Sequence, residues 1–98
     1  MIFTVLGFYK FKTIKSLPKL KNLFQYEMIN LNVKGTIILS SEGINGTISG
    51  YKKDVFEIQK LLKKSIGFNK FDSKNLSFSR FQPFHRGKIK IKKEVVPI

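Results

Sequence analysis

No cysteine occurs among the 98 residues. That excludes a disulfide framework, thiolate catalysis and thiolate metal sites within this stretch. Histidine occurs once, as His85, and the six Asp and Glu are scattered. They form no ligand cluster, so no metal site and no bound cofactor is expected. No apolar run approaches the ~18 residues of a membrane span. The opening Met1-Ile2-Phe3-Thr4-Val5-Leu6 is apolar, but it is too short for a signal-peptide core and has no basic residues before it. It reads as a strand, and the chain as cytoplasmic with no membrane partner. The length fits one domain, residues 1–98, with a modest core.

Negative charge is as scarce as positive charge is abundant. Nineteen Lys and Arg against six Asp and Glu give a net charge of +13. Such a balance favours polyanions, nucleic acid foremost. All of the nineteen except Arg80 and Arg86 are Lys, in a chain also rich in Ile, Asn and Phe. A coding bias toward AT-rich codons would inflate Lys in the same way, with no functional cause.

The element on which the chain is organised is Lys34 to Gly50. Thr36-Ile37-Ile38-Leu39 leads into a small polar turn at Ser41-Glu42-Gly43, and Ile44 to Ser49 returns. This reads as a hairpin. Asn45-Gly46 would be the stronger two-residue turn signal, but a turn there leaves too short a return strand. It is therefore assigned to a bulge or a close approach of backbones. Before the hairpin, Ile2 to Tyr9 is dense in β-branched and aromatic residues on both faces, which suggests a central strand. Ser16 fits a helix N-cap, with Pro18 in the first turn. Leu17, Leu20, Phe24, Met28 and Leu31 then recur at helical spacing, with Lys19, Lys21, Asn22 and Gln25 on the outer face.

After the hairpin, Val55, Ile58, Leu61, Leu62 and Ile66 form a second helical stripe. It runs from early acids to late lysines and stops at Gly67. Leu76 to Phe81 alternates with period two, but Leu76, Phe78 and Phe81 cannot share one face, so a slip or bend is expected near Arg80. Pro83 ends that strand. Lys88-Ile89-Lys90-Ile91-Lys92 alternates cleanly, Ile inward and Lys outward. The order β-α-β-β-α-β plus a C-terminal strand predicts an α+β, ferredoxin-like (split βαβ) fold. Its antiparallel sheet would carry two helices on one face and leave the other open.

Gly35-Thr36-Ile37-Ile38-Leu39-Ser40-Ser41-Glu42-Gly43-Ile44-Asn45-Gly46-Thr47-Ile48 resembles a signature of the bacterial rhodanese-domain tRNA uridine hydroxylases. Phe8-Tyr9-Lys10-Phe11 and the stretch from Pro83 to Val96 agree with it, so the similarity covers nearly the whole chain. One departure is Gly87, where a larger apolar residue is expected. The resemblance implies the N-terminal, acylphosphatase-like domain of an enzyme that converts the wobble uridine of certain tRNAs to 5-hydroxyuridine. Molecular oxygen would be the co-substrate. It further implies a rhodanese-like domain, bearing the catalytic cysteine, after residue 98. The partners would then be tRNA and that domain, and this stretch would bind or position tRNA without a catalytic residue of its own.

The candidate binding residues each carry a plainer alternative. Lys88, Lys90 and Lys92 lie ~6–7 Å apart by strand rise, suited to successive phosphates; they equally suit an edge strand guarded by Lys. Arg80, His85 and Arg86 are near them in sequence, and His85 could stack on a base or hydrogen-bond to it or merely be exposed. Glu42 and Asn45 could read a base edge or hold a neighbouring domain, or serve only as turn residues. Tyr9, Lys10 and Lys12, with Phe11, interleave aromatic and basic character, although Phe11 is assigned to the core. Two other functions remain open. A free-standing RNA-binding protein would lack the glycine-aromatic signature of RNA-recognition sheets. An acylphosphatase-type hydrolase would need a phosphate loop with Arg after the first strand, where this chain has Lys10-Phe11-Lys12-Thr13-Ile14-Lys15.

Overall fold

In the computed structural model, which describes residues 1–93, the order is β1 (Phe3–Phe11), α1 (Leu17–Asn30), β2 (Lys34–Ser40), β3 (Gly43–Gly50), α2 (Lys52–Ile66), β4 (Ser73–Ser79) and β5 (Gly87–Ile91). The last part of the resembling stretch, Glu94-Val95-Val96, lies outside the described residues. The sheet order is β4-β1-β3-β2-β5. β1, β3, β2 and β4 pair antiparallel, as the ferredoxin-like order requires, while β5 runs parallel to β2. The sheet is therefore mixed. Parallel pairing follows from topology: residues 80–86 cross from the β4 edge to the opposite edge and return β5 in the direction of β2.

Both helices cover one face, α1 mainly β5 and β2, α2 mainly β1 and β3. The core between them includes Leu6, Phe24, Met28, Ile37, Leu39, Ile44, Ile48, Ile58 and Leu62, all fully buried. Strand alternation supplies one side of this core and the two helical stripes the other. β4 has no helix above it. Its Leu76 and Phe78 lie on the helix side of the sheet by register with Leu6 and Thr4, yet both are exposed. The strand stops at Ser79, and the expected break falls at Arg80.

The hairpin turns at Ser41-Glu42, and its register runs unbroken from Lys34↔Ser49 to Ser40↔Gly43. Asn45-Gly46 is thus a close approach and not a bulge. A Cβ on Gly46 would lie 2.5 Å from the Thr36 carbonyl oxygen. The turn also docks the segment after β1: Lys12 N–H donates to the Glu42 carbonyl at 2.9 Å, and Ile14 N–H to that of Ser41 at 3.1 Å.

Three local expectations are corrected. Ser16 occupies the N-cap of α1 with φ 58° and ψ 44°, and its side chain makes no capping bond. Gln25 is not on the outer face of α1. Its side-chain amide donates to the Gly87 carbonyl (2.9 Å) and accepts from Ile89 N–H (3.2 Å), as a neighbouring strand would. At Gly87, where a larger apolar residue is expected, a Cβ would crowd the Val33 carbonyl oxygen at 3.0 Å and Met28 Cε at 3.1 Å, so a larger residue requires these neighbours to shift. Glycine lets β5 slide under α1.

Candidate nucleic-acid interface

The open face of the sheet is set by alternation. Phe3, Val5, Gly7, Tyr9 and Phe11 of β1 point there, with Asn45, Thr47 and Ser49 of β3, Lys34, Thr36 and Ile38 of β2, and Lys88 and Lys90 of β5. Lys92 follows β5 and continues the pairing, its N–H donating to the Leu39 carbonyl at 2.8 Å. Lys88, Lys90 and Lys92 therefore line one edge of the open face, while Ile89 packs into the core at 3% exposure. Sequence reasoning missed Lys34, which the same alternation adds near the lower end of this row.

The remaining candidates divide. Arg86 lies at the foot of β5, its carbonyl accepting from Gly35 N–H at 2.9 Å, with exposed His85 before it. Arg80 stays at the β4 edge, four strand spacings away, or ~19 Å. Lys10 is separated from Tyr9 and Phe11 by the same alternation that placed them. It points to the helix side, reaches Asp72 Oδ1 at 3.4 Å and lies 5.7 Å over the Phe68 ring. Phe11 is not a core residue but half-exposed, edge-on to Tyr9 at 5.6 Å between ring centroids. Lys12 and Glu42 meet at the top of the sheet through their backbones, with both side chains exposed. Asn45 is half-buried in β3, opposite Tyr9.

Asp72 fixes the upper end of β1. Its Oδ2 accepts the Phe11 N–H at 2.7 Å, and this bond, aided by Lys10, holds the carboxyl below its usual range. The face also holds a recess of about 260 Å³ around Gly7, lined by Tyr9, Asn45, Thr47, Ser73 and Asn75. A wider depression of about 530 Å³ lies at the end of α2, near Lys60, Lys63 and Lys64. Two of those lysines are engaged, Lys60 with Glu57 at 3.6 Å and Lys63 over the Phe71 ring at 5.6 Å. Among the described residues no cluster of three or more metal-binding side chains occurs, and no helix is long and apolar enough to cross a membrane.

A five-stranded mixed sheet with two helices on one face defines an acylphosphatase-like, ferredoxin-like α+β protein. Solved structures share this fold: an acylphosphatase from Bacillus subtilis (TM-score 0.58, 14% identity, 91% of this chain and 98% of that one) and one from Coxiella burnetii (TM-score 0.62, 7% identity, 91% and 93%). Over residues 3–95 the sequence matches the UPF0176 acylphosphatase-like domain, and the chain belongs to that family. It is 54% identical over 97 residues to a tRNA uridine(34) hydroxylase of Pelagibacter ubique, a likeness covering 99% of this chain and 32% of that protein. The chain thus spans about a third of the length of the hydroxylase it matches.

Proposed function

We propose that this domain binds and positions tRNA for a wobble-uridine hydroxylase. The observation that carries the reading is the row of Lys88, Lys90 and Lys92 along the edge of an open sheet face, in a chain of net charge +13. The 54% identity to a tRNA uridine(34) hydroxylase supports tRNA as that polyanion. The row supplies sequence-independent phosphate contacts, which fix register and contribute affinity but not base choice. The hydroxylation itself, with molecular oxygen as co-substrate, is assigned to a rhodanese-like domain following residue 98. The present chain, without cysteine, contributes positioning.

The test is the salt dependence of tRNA binding. Replacing Lys88, Lys90 and Lys92 together with Ala should weaken binding across tRNA sequences. It should also reduce the slope of log K against log[salt] by roughly one unit per lost contact. A triple variant with wild-type affinity and slope would remove the row from the interface, and a wild-type protein that does not bind tRNA would overturn the reading.

A further inference from the structure

Gly7 sits in the interior of β1, an interior strand, where glycine weakens pairing and leaves nothing to pack. Other strand glycines are demanded by the fold. A Cβ on Gly35, Gly43 or Gly46 would come within 2.1, 2.2 or 2.5 Å of a backbone carbonyl oxygen. Gly7 is different. A Cβ there would touch nothing closer than Thr47 Oγ1 at 3.7 Å, and its φ lies outside the left-handed region. Neither backbone conformation nor crowding calls for glycine at this position. What its missing side chain creates is the recess on the open face.

The walls follow from register. Gly7 pairs with Thr47 on one side and Asn75 on the other, and Tyr9, one step along β1, pairs with Asn45 and Ser73. Every lining side chain is polar or aromatic, and none is charged. This decides against a phosphate or carboxylate seat, since no lysine lines the recess, the β5 row stands three strand spacings away, ~14 Å, and Lys34 lies two strands across on β2. At about 260 Å³ the recess is below the usual range for drug-sized ligands. It suits a flat neutral ring with several hydrogen-bonding groups.

We infer that the recess over Gly7 seats one unpaired nucleobase of the RNA whose phosphates lie along β5. Tyr9, backed by Phe11, forms the stacking wall, and Thr47 and Asn75 meet the base edge. The inference rests on the tRNA-binding reading and adds the base contact that the lysine row lacks. Unpaired, splayed bases are the part of RNA that side chains can read.

The experiment compares a uridine hexaribonucleotide with an abasic hexamer of the same backbone, each bound to the purified protein at fixed salt. The wild type should prefer the base-bearing strand roughly tenfold, within the range of one stacked base. Gly7→Val, which the open space accommodates, should fill the recess and bring that ratio to about one. If that variant does not fold, Thr47→Val with Asn75→Leu makes the same test from the walls. The triple lysine variant should weaken both strands and leave the ratio in place. A ratio of one in the wild type, or a ratio unmoved by the recess variants, overturns the base seat while leaving the phosphate row standing. If neither hexamer nor tRNA is bound, both readings fall.

Discussion

Replacing Gln25 with Met isolates two hydrogen bonds. Methionine keeps the length and helix propensity of glutamine but can neither donate to the Gly87 carbonyl nor accept from Ile89 N–H. Each such bond contributes ~0.5–1.5 kcal/mol net, and at a half-buried strand edge water replaces part of it, so the pair contributes ~1–2 kcal/mol. Unfolding entropy is ~2.1 cal/mol/K per residue, or ~0.2 kcal/mol/K over the whole chain, and Tm should therefore fall by about 5–10 °C. Thermal melting followed by circular dichroism measures this. Amide exchange at Ile89 should quicken more than exchange at Leu6 or Ile48, because the loss is local to β5. A Tm within ~2 °C of wild type, together with unchanged protection at Ile89, would refute the reasoning.

The Asp72 carboxyl lies below its usual range in the folded protein because Phe11 N–H and Lys10 bind its charged form. Its contribution is full above the unfolded-state value of 3.8 and is lost as pH falls through the lower folded value. Asp72→Asn should therefore melt below wild type near neutrality, and the gap should close on acidification; a gap independent of pH would exclude the latch. Phe24 is fully buried and Leu23, beside it, is 37% exposed. Phe24→Ala should cost ~3–5 kcal/mol, a large part of a total of ~5–15 kcal/mol, whereas Leu23→Ala should cost under ~1 kcal/mol. Denaturant midpoints for the two variants check the contrast, and equal losses would contradict the assigned helix face.

Periodicity made the elements legible. The two helical stripes, the hairpin turn at Ser41-Glu42 and the stop at Gly67 all lie where spacing and residue type place them. Periodicity cannot report what lies above a strand. Leu76 and Phe78 alternate like core residues, but no helix reaches the β4 edge, so they remain exposed. Nor does sequence proximity measure distance across a sheet: only five residues separate Arg80 from Arg86, and the sheet's full width separates their places. Gln25 reads as an outer-face residue because its partner, the β5 backbone, carries no side-chain pattern. The recess was hidden for a similar reason, since one glycine in a strand is silent until its neighbours on β3 and β4 are known.

The pairing of β1 with β4 has a kinetic consequence. Phe3 meets Ser79, so the first strand synthesised acquires its second neighbour only when most of the chain is available. Until then β1 is an edge, joined to β3 alone. A domain closed by contacts of such long sequence separation folds as a whole and slowly, compared with one built from local hairpins or helices. A nascent or truncated chain ending before residue 73 would hold Leu6 and Phe8 beside an unpaired strand edge, in a form prone to join another chain.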